Sequence, residues 1–196
     1  MLEFKARTNL KLKVSNRQMA ILTGCLLGDG YIHPRGQIQI EQGIKQLPYL
    51  LWKYKNLRSL AYGPPKIIKR FDKRYKQEYV GARFWLRQYF RPLRRMFYPK
   101  GKKVVPLEIA GYITKLSLAI WYMDDGNLYK GRNVKIATDG FDCKSRRIVK
   151  EILFSKFGIE STIHKNGKLR ISSSSLERFF NLIKNHIHSS MTYKIP

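Results

Sequence analysis

The sequence has few acidic residues, few cysteines and no long apolar segment, and each shortage excludes a class of protein. Of the 196 residues only 13 are Asp or Glu, against 39 Lys or Arg, which gives a formal net charge of +26. The two cysteines, Cys25 and Cys143, supply neither a disulfide framework nor a zinc cluster. No apolar stretch reaches the roughly 18 residues of a transmembrane helix, and no secretory signal is present. We therefore expect a soluble, intracellular protein that is not secreted.

The excess of positive charge indicates a polyanionic partner. Basic residues occur along the whole chain, and the 43% hydrophobic content is enough to form a core. A surface with this charge attracts the phosphates of nucleic acid, which is the expected partner. A membrane surface is the weaker alternative, because the basic stretches lack a long amphipathic helix pattern.

Two segments share a pattern of apolar residues followed by Asp-Gly. Residues Ile21–Gly30 read ILTGCLLGDG, and residues Leu116–Gly126 read LSLAIWYMDDG. Their final aspartates, Asp29 and Asp125, are separated by about half of the chain, and such a repeat predicts a duplicated fold.

The acids that close the second segment stand at an unfavourable place for a helix. The negative end of the helix dipole disfavours Asp124 and Asp125 by about 0.3–1 kcal/mol, and a hard divalent cation would relieve the repulsion. Gly126 is expected to end the helix in the left-handed conformation.

Both segments resemble the paired motifs of the LAGLIDADG homing endonucleases. The positions that match the motif letter for letter are Leu22, Gly24, Asp29 and Gly30 in the first copy and Leu118, Ala119, Asp125 and Gly126 in the second. Ile120 stands where the motif has a glycine. The second copy is similar to the WFMDDG-like motif of monomeric, two-motif, intron-encoded members. The resemblance extends along nearly the whole chain.

Periodicity and turn residues predict the order α-β-β-α-β-β-α in each half of the chain. In the second half they predict a helix from Cys143 to Phe157 closed by Gly158, and a hairpin that turns at Asn166-Gly167. We predict a first half with a basic N-terminal lead-in at residues 1–98, a linker rich in Gly and Pro at residues 99–106, and a second half at residues 107–196. The resemblance implies an α+β fold of two pseudo-symmetric halves. In that fold the motif helices pack at the centre and antiparallel sheets form a DNA-binding saddle.

The polar faces of the predicted hairpins carry base-reading and phosphate-binding side chains. Glutamine can bind an adenine edge with two hydrogen bonds, and a β-ribbon fits the major groove. The candidate DNA-binding residues are Gln37, Gln39, Glu41, Lys69, Arg70, Lys73, Arg74, Arg83, Trp85, Arg87, Lys135, His164, Lys168, Arg170 and Ser172.

Hydrolysis of a phosphodiester needs an activated water and neutralisation of the leaving oxygen, which Mg²⁺ held by carboxylates supplies. The resemblance assigns metal binding and catalysis to Asp29 and Asp125, with the backbone of Gly28 and Asp124 as further candidates. Mn²⁺ is expected to substitute for Mg²⁺, and Ca²⁺ to bind without supporting cleavage.

Two lysines match the pocket lysines of the family. Lys103 lies in a Lys-x-x-Pro pattern, and Lys194 lies in a Tyr-Lys-x-Pro pattern. The resemblance implies that they polarise the water network or stabilise developing charge.

The leading hypothesis is a monomeric, metal-dependent endonuclease that cuts both strands of a long, asymmetric DNA target in intron homing. It would act in the organelle, bacterial or archaeal compartment of its host intron, and it would not bind a membrane. The alternative is an RNA-binding maturase of the host intron on the same fold. A third hypothesis, a non-enzymatic ribosomal or architectural protein, leaves the paired acidic helix ends unexplained.

Overall fold

The computed structural model describes residues 2–5, 11–72 and 76–196, and these residues form six α-helices and ten β-strands. The first elements are β1 Leu2–Lys5, β2 Lys11–Val14, α1 Asn16–Leu27, β3 Tyr31–Ile32, β4 Ile38–Gly43, α2 Leu47–Leu57, β5 Lys66–Asp72, β6 Gln77–Trp85 and α3 Arg91–Phe97. The later elements are α4 Lys115–Asp125, β7 Gly126–Tyr129, β8 Asn133–Ile136, α5 Cys143–Phe157, β9 Ser161–Ile163, β10 Leu169–Ile171 and α6 Leu176–Ile183. The predicted α+β class and the repeated α-β-β-α-β-β-α order, which begins at α1, are confirmed.

The chain divides into two compact units. The first comprises Met1–Met19 and Asp29–Arg94, and the second comprises Ala20–Gly28 and Arg95–Pro196. Most of the first motif helix therefore belongs to the second unit. The domain boundaries around the linker at residues 99–106 and the DNA-binding saddle remain predictions.

The first unit is built on an antiparallel sheet with the strand order β3-β4-β6-β5. Helix α2 packs against β4 and β6, and the ring of Tyr54 meets the ring of Phe84 at 5.5 Å. Along β4 the side chains alternate, with Ile40 buried and Gln39 and Glu41 half-buried. The sheet therefore has one apolar face under α2 and one polar face.

The hairpin of β1 and β2 adds to this unit and was not predicted, since the sequence indicated only a basic lead-in there. Leu2 pairs with Val14, and the ring of Phe4 packs against the ring of Phe90 at 5.2 Å. An apolar side chain therefore holds this basic hairpin to the unit.

The second unit contains an antiparallel sheet with the order β7-β8-β10-β9. Helix α4 begins at a capping box, in which the Thr114 side chain accepts from the Ser117 N–H and the Ser117 hydroxyl accepts from the Thr114 N–H. Every residue from 116 to 123 is buried, so α4 forms the core of this unit. Helix α5 ends at Gly158 with φ of 64°, as predicted.

The two motif helices pack directly on each other within the second unit. A Cβ placed on Gly24 of α1 would lie 2.6 Å from the Ser117 carbonyl oxygen and 2.7 Å from Cβ of Ile120 in α4. The glycine in α1 thus permits the close approach, although Ile120 replaces the motif glycine in α4.

The prediction for Gly126 is wrong. Its φ of −83° and ψ of 152° are extended, so α4 continues directly into β7 without a left-handed residue. Glycine is required there for space, because a Cβ would overlap the ring of Tyr122.

None of the helices in the described ranges is long and apolar enough to cross a membrane.

Candidate active site

Asp125 ends α4 and lines a cavity of about 290 Å³ in the second unit. Gly28 and Lys103 line the same cavity, and the Lys103 ammonium donates to the Gly28 carbonyl oxygen at 2.7 Å. The Ala137 N–H donates to the Asp125 carbonyl at 3.0 Å, which joins the end of α4 to the segment after β8. The structure thus brings together three of the site residues named from the sequence.

The segment that carries Lys103 is held by hydrogen bonds on its C-terminal side. The Val104 N–H donates to the Phe97 carbonyl at 2.8 Å, and the Val105 N–H donates to the Ser145 hydroxyl at 2.9 Å. The Lys103 ammonium also lies 5.8 Å from the ring centre of Phe141. These contacts hold the half-buried Lys103 in the cavity that Asp125 also lines.

Asp139 lines the same cavity and was missed by the sequence analysis. The preceding residue, Thr138, is buried and donates from its hydroxyl to the Gly167 carbonyl at 2.6 Å, which anchors this turn. Asp139 is a single acid in a loop, and no local pattern distinguishes it from a solvated turn residue.

Asp29 is exposed in the first unit and accepts a hydrogen bond at 3.0 Å from the Gln42 amide. Gln42 is only 4% exposed, so its amide is fixed by the surrounding core. The sequence analysis missed it, because its position in β4 alternates with Glu41 and falls on the apolar side. Gln42 therefore orients the Asp29 carboxylate.

Tyr79 responds to the same charges. Burial raises the pKa of its phenol, as do the Glu41 and Asp29 carboxylates, while the Arg70 guanidinium lowers it.

Gly28 allows the last turn of α4 to approach closely. A Cβ on Gly28 would lie 2.7 Å from the Cβ of Asp124 and 3.0 Å from its Oδ2. Asp124 itself is half-buried. Gly28 thus contributes space for α4 as well as the carbonyl that receives the Lys103 ammonium.

Lys194 lies beside the last turn of α4. Its ammonium donates to the Met123 carbonyl at 2.5 Å, and its own carbonyl accepts from the Tyr122 hydroxyl at 2.6 Å. The Lys194 ammonium therefore contacts the motif helix at Met123, two residues before Asp125.

The polar face of the first sheet carries a charge cluster centred on Glu41, which we call the Glu41 cluster. Glu41 accepts from the Arg70 guanidinium at 2.5 and 2.6 Å and from the Gln39 amide at 2.9 Å. The Arg83 guanidinium lies 3.7 Å away. Three of the predicted DNA-binding side chains are therefore grouped around a fourth, half-buried acid.

The remaining candidates of this unit lie in several places. Trp85 and Gln37 line a cavity of about 880 Å³, and Trp85 meets the His33 ring edge-on. Lys69 lies 3.9 Å from Glu78, and the Arg87 guanidinium donates to the carbonyl of Ala61. Lys73 and Arg74 lie outside the described residues.

In the second sheet Lys135 and Arg170 are direct cross-strand partners. The Arg170 guanidinium donates to the Asn133 side chain at 2.6 Å. His164 and Lys168 close the hairpin turn, where the His164 N–H donates to the Lys168 carbonyl at 2.9 Å.

Ser172 lies apart from that basic pair. It follows the end of β10 and lines a separate cavity of about 630 Å³ with Arg147 and Phe154 of α5.

The donor atoms suit a hard divalent cation. Asp29 offers carboxylate oxygens in the first unit, and Asp125 offers carboxylate oxygens in the second, where the Gly28 carbonyl already accepts from the Lys103 ammonium. Within the part of the chain that the structure describes, no three His, Cys, Asp or Glu side chains form a metal cluster. A site with few protein ligands fits Mg²⁺, which keeps several waters and binds substrate phosphates. It does not fit a structural zinc site.

Comparison with known proteins shows what this chain is similar to. A family model described as the LAGLIDADG DNA endonuclease family matches residues 19–179. Cytochrome b mRNA maturase bI2 of Debaryomyces hansenii is 28% identical over 95% of this chain and 76% of that protein. Intron-encoded endonuclease ai4 of Dictyostelium discoideum is 38% identical over 54% of this chain and 70% of that protein.

A solved structure extends the similarity to the fold. The homing endonuclease I-WcaI, bound to its DNA recognition sequence, matches with a TM-score of 0.83 and 25% identity, over 94% of this chain and 88% of that one. The resemblance drawn from the two motifs is thereby confirmed, and the chain belongs to the LAGLIDADG DNA endonuclease family.

Proposed function

We propose that the protein is a site-specific DNA endonuclease that hydrolyses phosphodiester bonds in both strands of a long target during intron homing. The observation that carries this proposal is the cavity in which Asp125, Lys103 and the Gly28 carbonyl meet. The relatives support it, because one is named an intron-encoded endonuclease and a solved neighbour is a homing endonuclease bound to DNA.

Asp29 and Asp125 are each proposed to bind a divalent cation, with Mg²⁺ as the physiological ion and Mn²⁺ as a substitute. Such an ion polarises a phosphoryl oxygen and lowers the pKa of a bound water. Ca²⁺ is proposed to bind at the same carboxylates without supporting cleavage. Gln42 holds the Asp29 carboxylate in one orientation, so that its oxygens present a fixed ligand.

Lys103 is proposed to act on the reacting phosphate or on the water beside it. Its ammonium has three N–H donors, and one of them donates to Gly28. Because the cation is half-buried in the cavity beside Asp125, its charge is screened less than that of a surface lysine. Lys194 is proposed to act in the same way beside α4.

DNA binding is proposed to use the polar faces of the two sheets. Arg83 and Gln39 of the first sheet and Lys135 and Arg170 of the second lie on such faces. If these side chains and their neighbours neutralise six to ten phosphates, affinity falls by about 10³ to 10⁵ between about 50 and 200 mM salt. An affinity that stays constant over that range would contradict the electrostatic part of the proposal.

We further propose that the protein is a monomer with an asymmetric target, because one chain carries both motifs and the two sheets present different side chains. Light scattering without DNA should give the 23.1 kDa mass of one chain. A mass twice as large would contradict this. We propose that it acts inside the cell, in the compartment that holds its host intron.

The experiment that tests the proposed function is a cleavage selection. The protein is incubated with a randomised duplex DNA library in Mg²⁺ and, separately, in Ca²⁺. We expect one long sequence to be cut in both strands in Mg²⁺, and the same sequence to be bound but intact in Ca²⁺. Failure to cut any duplex in Mg²⁺ or Mn²⁺ would overturn the proposal.

A second candidate function is RNA-binding maturase activity, which the similarity to a protein named mRNA maturase favours. It predicts tight binding to the host intron RNA and faster splicing of that RNA. If the protein binds intron RNA and never cuts DNA, the maturase function replaces the endonuclease function. The third hypothesis, a ribosomal or architectural protein, gains no support from the family.

A further inference from the structure

We propose that Tyr122 is a positioning residue for Lys194. As a result, cleavage of one DNA strand depends on the Tyr122 hydroxyl, and cleavage of the other strand does not. The inference rests on the proposed function, since it requires that Lys194 takes part in DNA cleavage. Tyr122 is not one of the site residues named from the sequence, which are the two motif aspartates and the two pocket lysines.

The hydroxyl of Tyr122 is directed at the backbone of the lysine. Tyr122 is completely buried in the last turn of α4, and its hydroxyl donates to the Lys194 carbonyl at 2.6 Å. Burial raises the pKa of this phenol, which favours the neutral hydroxyl that donates the bond. The hydrogen bond is partly buried, and removal of the hydroxyl takes this donor away from the Lys194 carbonyl.

The ring of Tyr122 is itself fixed. It meets the Phe179 ring edge-on, with 5.1 Å between ring centres and an interplanar angle of 85°. Gly126 lies against the other side, since a Cβ at that position would overlap the ring. Because the ring cannot swing aside, the direction of the hydroxyl is determined by the core.

Lys194 is therefore bound to two consecutive residues of α4. Its carbonyl accepts from Tyr122, and its ammonium donates to the carbonyl of Met123 at 2.5 Å. These bonds tie both ends of the lysine to the helix that ends in Asp125. Losing the hydroxyl removes one of these two bonds and allows the ammonium to shift relative to that helix end.

The first motif has no equivalent of this hydroxyl. When Asp29 is aligned with Asp125, Leu26 takes the place of Tyr122, and its buried side chain has no donor. The segment of Lys103 is held instead by the bond from the Val105 N–H to the Ser145 hydroxyl. The two lysines thus depend on different supports, and removal of the Tyr122 hydroxyl acts on Lys194 alone.

The test is Tyr122→Phe in a single-turnover assay on the selected duplex, with each strand labelled separately. We expect cleavage of one strand to slow about tenfold, less than the roughly 10²-fold that misplacement of a catalytic group by about 1 Å can cost. Cleavage of the other strand and duplex affinity in metal-free buffer should remain at the parental values. Tyr112→Phe, which removes a hydroxyl elsewhere in the second unit, is the matched control and should cut both strands normally.

Lys194→Ala and the double variant complete the design. Lys194→Ala should slow the same strand as Tyr122→Phe, and the double variant should be no slower than Lys194→Ala, because the two residues act through one contact. If Tyr122→Phe cuts like the parent, or slows both strands equally, the inference is overturned. If Lys194→Ala itself cuts both strands normally, the role of the lysine in the proposed function fails instead.

Discussion

Gly24→Ala tests the direct packing of the two motif helices in the second unit. The added methyl would lie 2.6 Å from the Ser117 carbonyl oxygen and 2.7 Å from the Ile120 Cβ. Favourable carbon contacts lie at about 3.5–4.0 Å, so the helices must separate by about 1 Å. Overpacking lowers the free energy of unfolding by about 1–3 kcal/mol. Neither the Ser117 carbonyl oxygen nor the Ile120 Cβ can rotate away, so we expect a loss of about 3 kcal/mol. In a chain of this size that loss lowers Tm by about 6–12 °C, measurable by circular dichroism.

Two further variants make this result specific. Gly111→Ala adds a methyl that meets no atom within 4 Å, so its Tm should equal that of the parent or rise slightly. Adding Ile120→Ala to Gly24→Ala removes the isoleucine side chain beyond Cβ but keeps the Cβ itself and the Ser117 carbonyl oxygen. The double variant should therefore not regain the parental Tm. A Gly24→Ala protein with the parental Tm would refute the close packing.

Three other predictions follow from the site and its surroundings. Glu41→Gln should raise the affinity for non-specific duplex, because it releases Arg70 of the Glu41 cluster to bind phosphate. The control Glu78→Gln should raise it less, because Glu78 is exposed and does not contact that arginine. Filter binding measures both affinities. Gln42→Leu should slow single-turnover cleavage, since Asp29 loses the amide that orients it, while duplex affinity is unchanged. Burial lowers the pKa of His188. The unfolded chain therefore binds its proton more readily, and the stability from neutral His188 is complete above about pH 6.5 and falls below it. His188→Asn should flatten that part of the Tm profile.

The order of elements could be predicted because the signals for it are local. Alternation in β4, the Asn166-Gly167 turn and Gly158 after α5 each depend on a few neighbouring residues, and the structure has all three. The hairpin of β1 and β2 was missed because two short strands rich in lysine give no alternation strong enough to distinguish them from a solvated arm.

The errors and omissions concern contacts between residues far apart in the sequence. A glycine after a helix predicts a left-handed turn, but Gly126 is needed for the ring of Tyr122, which no local pattern shows. Gln42 was not among the residues named from the sequence, and only the fold shows that its amide meets Asp29. Asp139 reaches the cavity of Asp125 through a turn whose position depends on the whole sheet.

The most direct measurement of the central claim is the cleavage rate of Asp125→Asn compared with Asp124→Asn on the selected duplex in Mg²⁺. Asparagine keeps the size of the side chain and removes the charge that would bind metal. We predict that Asp125→Asn loses cleavage by orders of magnitude, while its duplex affinity in metal-free buffer is unchanged or higher, because a negative charge facing phosphate is gone. Asp124→Asn should lose much less activity. An Asp125→Asn protein that cuts like the parent, beside an inactive Asp124→Asn protein, would contradict the assignment of the catalytic aspartate.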